Sequence, residues 1–173
     1  MEMGAELRKP AVRNWVSVME KSNLLLGGVI GAMNPSTFTA GVNCIKAIRS
    51  NIECIAKSEN LEDLLAVWTS PLVAASVINN RNTPVHRDNG ATYCSMDFLT
   101  STGSFTKGVF MVPGLGYRFL FKSGTLIGLL GRIVPHAADV SGERLCYAQY
   151  LREDVLHALG VEVPDWVNVD NLF

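Results

Sequence analysis

Three histidines occur in this 173-residue chain: His86, His136 and His157. His86 stands in Thr83-Pro84-Val85-His86-Arg87-Asp88. Extended residues i and i+2 face the same side, so the spacing predicts that His86 and Asp88 project together while Arg87 points away. His136 ends the stretch GTLIGLLGRIVPH. Two imidazoles and one carboxylate can occupy one face of an octahedral metal. They leave positions open for a co-substrate and O₂, the arrangement of non-haem Fe(II) oxygenases. Next, Asp139-Val140-Ser141-Gly142 reads as a turn, with Arg144 opening the following strand. An antiparallel return would bring its guanidinium to the same mouth. There it suits bidentate contact with a carboxylate, such as the distal one of 2-oxoglutarate. A His-x-Asp pair in a loop is also a common capped turn or salt bridge. On these residues alone, an iron site and a pair of structural histidines therefore stand as alternatives.

Other chemistries fail on local sequence. His86-Arg87-Asp88 matches the start of a kinase catalytic loop, but Asn-Gly-Ala-Thr follows, and no Gly-rich loop, VAIK or DFG accompanies it. Gly114-Leu115-Gly116 is a lone GxG between strands and reads as a turn; there is no Walker motif. Cys44, Cys54, Cys94 and Cys146 match no zinc spacing and read as reduced, packed thiols.

The elements that must position these residues fall into two halves. Residues 10–65 read as helical. Val12, Trp15, Val16 and Met19 recur at helical spacing behind Pro10. After Asn34-Pro35-Ser36, the stripe Phe38, Val42, Ile45, Ile48, Ile52 and Ile55 predicts an amphipathic helix with that stripe on the core, ending near Ser58-Glu59-Asn60. From about Trp68 the pattern changes to short strands: LVAASVINN, TYCSMDFL, GVFMV, YRFLF, TLIGLLG and RLCYAQYL, each bounded by turn formers. REDVLHALG reads as a short helix capped by Gly160, before an acidic tail. The expectation is one α+β domain over 1–173. Residues 1–66 form helical support, 67–152 an antiparallel barrel or sandwich with the site, and 153–173 a short helix and tail.

Apolar residues make up 48% and charged residues 18%, with mean hydropathy +0.20, which excludes a disordered chain. The longest apolar run, Leu24–Met33, is shorter than the roughly 20 residues a bilayer span needs. No secretion signal opens the sequence, so the expected location is intracellular, nuclear or cytoplasmic, without a membrane. Net charge is −1. It hides a gradient: acids and bases balance over residues 1–80, bases exceed acids by four over 81–152, and 153–173 carry five acids and no Lys or Arg. A basic barrel suits an anionic co-substrate and permits a phosphate backbone at its mouth.

SVINNRNTPVHRD, TYCSMDFL, VPGLGYRFLFKSGTLIGLLGRIVPHAA and GERLCYAQYLRED together resemble the TET/JBP-type 2-oxoglutarate/Fe(II) dioxygenases, especially their small versions from mushroom-forming fungi. The resemblance covers residues 70–166. It implies a double-stranded β-helix (a jelly-roll, cupin-like barrel) flanked by the N-terminal helices. It implies His86, Asp88 and His136 as catalytic iron ligands, Arg144 as the 2-oxoglutarate anchor and Arg81 as a further co-substrate contact. Tyr150, six residues after Arg144, matches an aromatic position that stacks on a flipped base; its alternative is a barrel-wall aromatic. Asn89 and Arg152 match positions near the substrate, with turn and surface roles as their alternatives. The cofactors implied are Fe(II), 2-oxoglutarate and O₂, and the partner is methylated DNA or a nucleobase. The short gap between His136 and Arg144 departs from the animal members.

The function this implies is oxidation of a methyl group on a nucleobase, of the 5-methylcytosine type. Two other readings stand beside it: the same chemistry on a small molecule or protein side chain, and a non-catalytic relative that binds DNA or a partner.

Overall fold

The computed structural model describes residues 4–55 and 59–166. The chain divides into two compact units, residues 1–73 with 154–173, and residues 74–153.

The first unit is helical. It holds α1 (Pro10–Val18), α2 (Glu20–Met33), α3 (Pro35–Ser50), α4 (Leu61–Val67) and, after the second unit, α5 (Glu153–Leu159). Asn34 begins α3, its side chain accepting from the Thr37 N–H at 3.1 Å, and Pro35 occupies the first turn, where no N–H is needed. Two expectations change here. α3 stops at Ser50, short of residues 58–60, because Asn51 leaves the helical region and a single 3₁₀ turn, Ile52–Cys54, follows. The buried line of α3 is Thr37, Ala40, Gly41 and Cys44, not the large aliphatic stripe. Small residues let α2 pack closely along α3, and Phe38, Val42, Ile45 and Ile48 lie half-buried beside that contact. No helix among the described residues is long and apolar enough to cross a membrane. The acidic tail beyond residue 166 lies outside the described residues.

The second unit is antiparallel sheet: β1 (Ala74–Asn79), β2 (Thr83–His86), β3 (Asp97–Val112), β4 (Tyr117–Leu120), β5 (Leu126–Leu129) and β6 (His136–Tyr150). β3 and β6 are long and pair along most of their length. Each also serves two sets of outer partners. The second half of β6 pairs with β1 and its first half with β2; the first half of β3 pairs with β5 and its second half with β4. Two four-stranded layers thus share their two central strands.

The two long strands bend where they pass between layers. Gly103 (φ +127°) lies opposite Arg144, and Gly142 (φ +117°) opposite Phe105; these backbone angles disfavour any side chain. A Cβ on Gly103 would strike the Glu143 carbonyl oxygen. Between Phe105 and Lys107 the register slips by one residue on β3. One extra residue moves the following side chains to the opposite face. Asp97, Leu99 and Ser101 therefore face inward before the bulge, and Phe110 and Val112 after it. Leu99, Phe110, Val112, Phe121, Leu129, Ala138 and Cys146 form the core so produced. The Gly103→Ala variant is expected to lose about 1–3 kcal/mol of stability through the strained angle and the clash. The check is its urea midpoint, which should fall with an unchanged slope.

The structure departs from the sequence reading at two further places. TYCSMDFL is strand only from Asp97 onward; Thr92 to Met96 turn instead, with the Thr92 hydroxyl accepting from the Ser95 N–H at 3.0 Å and bonding the Ser95 hydroxyl. Asp139–Gly142 is not a turn, and Arg144 does not open a strand: both lie inside the unbroken β6. The polar sequence there reflects exposure of Asp139, Ser141, Gly142 and Glu143 on the outer side of the bend.

Candidate functional site

Register brings the two histidines together. His86 is the last residue of β2 and pairs directly with His136, the first of β6. Side chains of directly opposed residues are neighbours, and these rings stand 4.3 Å apart between centroids. Each Nδ1 lies 3.0 Å from the carbonyl oxygen two residues earlier, Pro84 for His86 and Val134 for His136. A carbonyl only accepts, so each Nδ1 donates to its carbonyl, and each ring turns its Nε2 toward the site. Both Nε2 atoms face one carboxylate: Asp88 Oδ1 is 3.3 Å from His86 Nε2, and Asp88 Oδ2 is 3.4 Å from His136 Nε2.

Asp88 lies past the end of β2, in a turn. Its N–H donates to the Gly131 carbonyl at 3.0 Å, and its own carbonyl accepts from the Ala91 N–H at 3.2 Å. Arg87 turns to the other side and donates from Nε to the Ile133 carbonyl at 3.0 Å.

The three side chains each offer a ligand atom, and these atoms all lie within 4.8 Å of one another. Metal–ligand bonds of about 2.1 Å at right angles separate neighbouring donors by about 3 Å, so the arrangement fits one cation with small adjustment. Burial lowers the pKa of His136, against raising contributions from the Val134 carbonyl and Asp88, which favours the neutral imidazole a metal requires. The rear of its ring stacks on Phe110 at 5.5 Å.

A cavity of about 240 Å³ opens from these residues into the interior of the sheet unit. On β6 its walls are His136, Ala138, Arg144, Cys146, Ala148 and Tyr150, all of one parity. Arg144 thus reaches the site on the same strand as His136, eight residues along the inward face. It is 3% exposed. Its Nε donates to Ser101 Oγ at 3.0 Å, and its guanidinium lies 4.7 Å over the Phe121 ring. No acid pairs with it among the described residues. Burial lowers its pKa. A buried guanidinium that faces a cavity and meets no counter-ion among the described residues fits an anionic ligand.

The remaining candidates separate. Tyr150 lines the cavity, half-buried, its hydroxyl 3.3 Å from that of Ser76 on β1. Asn89 is exposed at the rim, where Arg87, Tyr93, Arg132 and Ile133 line an adjoining shallow hollow. Arg132 lies 3.7 Å over the Tyr93 ring, donates to the Ala91 carbonyl and pairs with Glu153. Arg81 and Arg152 are not in the cavity wall. Arg81 is exposed in the turn after Asn80, and Arg152 is exposed beyond the end of β6, bridging to Ala91.

Sequence reasoning did not single out Ser76, Asp97 or Phe110 for the cavity, nor Ser101 and Phe121 as the contacts of Arg144. Asp97 had a local signal, as the one acid inside an otherwise apolar and hydroxylic stretch, CSMDFLTST. Its carboxyl is 3% exposed, and neither oxygen makes a hydrogen bond of ordinary geometry among the described residues. Burial, with a further push from Asp88, raises its pKa to about 8, and the Gly131 amide offsets this only partly.

In one cavity the antiparallel sheet thus gathers a His-Asp-His cluster that could hold a metal ion and a buried guanidinium suited to an anion. Residues 5–153 match the Tet_JBP family, the oxygenase domain of the 2OGFeDO superfamily, and the chain belongs to that family. Among solved structures it is similar to NgTET1 in complex with 5mC DNA, with TM-score 0.65 and 12% identity over 96% of this chain and 59% of that one. The chain therefore spans less than two thirds of that protein's length, and at this identity the likeness is one of fold. None of the curated proteins matches.

Proposed function

We propose that this chain is an Fe(II)/2-oxoglutarate-dependent dioxygenase that oxidises a methyl group on a nucleobase, built on a double-stranded β-helix. The observation that carries the reading is the presence, in one cavity, of three clustered metal-ligating side chains and a buried guanidinium with no acidic partner among the described residues. Family membership supports the same chemistry.

His86, Asp88 and His136 would hold the iron, which with 2-oxoglutarate and O₂ supplies the oxidising power, at the cost of decarboxylating the co-substrate to succinate. The protein's own residues do the rest. The two backbone-held Nδ1 atoms fix both imidazoles with their Nε2 atoms inward. Arg144, oriented by Ser101 and by the Phe121 face, takes the distal carboxylate of the co-substrate. Leu99, Phe110 and Ala138 give the cavity an apolar wall that keeps water from the reacting centre.

Substrate class is argued from the mouth. Tyr150, tethered through its hydroxyl, offers a ring at the cavity wall, and base stacking on an aromatic is worth about 1–3 kcal/mol. Arg87, Arg132 and Asn89 around the rim suit the phosphates beside a flipped base. NgTET1 is bound to 5mC DNA in its structure, which favours the same substrate class here.

The test is nucleoside mass spectrometry after incubation with methylated DNA, Fe(II) and 2-oxoglutarate. The expected product is a hydroxymethylated base, absent with His86→Ala. Succinate formation without any modified base would remove the nucleobase assignment and leave the oxygenase chemistry standing.

A further inference from the structure

Asp97 is a buried acid that the metal and co-substrate assignments leave unused. It lies at the inward-facing start of β3 and lines the same cavity. Carboxyl groups are almost never buried without a partner. This one has no hydrogen bond of ordinary geometry and no ion pair among the described residues.

Its closest electrostatic neighbour is another acid. A side-chain atom on Gly131 would collide with Oδ2 of Asp97 and with Oδ2 of Asp88 alike. Only the missing Cβ lets the two carboxyl groups approach across that residue, one from β3 and one from the turn after β2. In the absence of a cation two acids so close in a buried place are unfavourable neighbours, through burial and like charge.

We propose that Asp97 is a positioning residue of the metal centre, which strengthens divalent-cation binding from behind Asp88 without being one of the three ligands. The inference rests on the metal reading of His86, Asp88 and His136. A cation between those ligands relieves the repulsion between the two acids. In return, Asp97, facing Asp88 across Gly131, adds negative potential at the ion. Partners just outside a ligand set typically change metal affinity by about 10- to 100-fold when removed.

The test uses Mn²⁺ as probe, titrated by calorimetry into the full chain. Wild type, Asp97→Asn and His136→Ala are compared, with thermal melts of each protein with and without the ion. Asp97→Asn is expected to bind Mn²⁺ about 10-fold more weakly. Without metal it should melt above wild type, because the buried acid is gone, and the rise in melting temperature on adding Mn²⁺ should shrink. A metal-free melting point below wild type with unchanged Mn²⁺ affinity would make Asp97 a structural residue and overturn the proposal. Equal affinity alone would do the same. Should the Asn variant not fold, Asp97→Ser and Gly131→Ala read the same coupling, the latter by forcing the acids apart; both should weaken Mn²⁺, and wild-type affinity in either overturns it. If wild type binds Mn²⁺ no better than His136→Ala, the metal reading itself has failed and the proposal falls with it. Binding lost in His136→Ala but kept in Asp97→Asn refutes the role of Asp97 alone.

Discussion

Replacing His86 or Asp88 by alanine is expected to abolish iron-dependent conversion of 2-oxoglutarate to succinate. The loss should exceed the roughly 100-fold upper end seen when only an outer partner of a metal ligand is removed. The three donors are interlocked. Asp88 lies 3.3 Å from one imidazole nitrogen and 3.4 Å from the other, so each substitution removes a donor and the orientation of its neighbour. His86 also pairs with His136 across β2 and β6, and its truncation leaves the buried partner ring without its tilted contact. His86 and Asp88 are about one-third exposed on the side-chain scale, so their removal should leave the fold largely intact. A succinate assay with circular dichroism as the folding control checks this. Wild-type turnover in either variant would dismiss the triad, and unfolding would show up in the control instead.

How far the site could be read from sequence depends on which interactions are local. His-x-Asp needs only the two-residue period of extended chain, and the structure places both side chains at one point even though Asp88 lies beyond the strand proper. The i−2 carbonyls that fix the imidazoles are equally local. The sequence predicts Arg144 at the mouth through a turn at Asp139–Gly142, whereas β6 continues unbroken through that segment, with Gly142 at positive φ. The destination held because eight residues is an even number, so His136 and Arg144 share a face however the strand bends. What escaped was set by long-range register. Ser101 meets Arg144 from β3 and Phe121 from just past the end of β4, and Ser76 meets Tyr150 across β1 and β6. The one-residue slip between Phe105 and Lys107, which turns Phe110 inward alongside Leu99, leaves no mark on the hydropathy of β3 that a local pattern could carry. In α3 the aliphatic stripe was visible, but close packing selected the small residues beside it.

Arg144→Ala is expected to raise the KM for 2-oxoglutarate by about 10- to 150-fold, because a hydrogen bond to a charged group is worth about 1.5–3 kcal/mol. Affinity for Mn²⁺ should not fall, since Arg144 contributes no metal ligand and its removal takes a positive charge out of the cavity. Stability should hold too. The guanidinium has no acid to abandon among the described residues, and burial already disfavours its charge. Most buried ion pairs behave otherwise, because removing one partner strands the other. Retained stability with lost co-substrate affinity would therefore indicate a cation held ready for a ligand. Arg144→Lys sharpens the distinction. It keeps the charge but loses the planar fork that Ser101 and the Phe121 ring orient. Its KM should fall between wild type and the alanine variant if the carboxylate is gripped by geometry as well as charge. A KM for Arg144→Ala equal to that of wild type would reject Arg144 as the anchor. A KM for Arg144→Lys equal to wild type would reduce its role to that of a point charge.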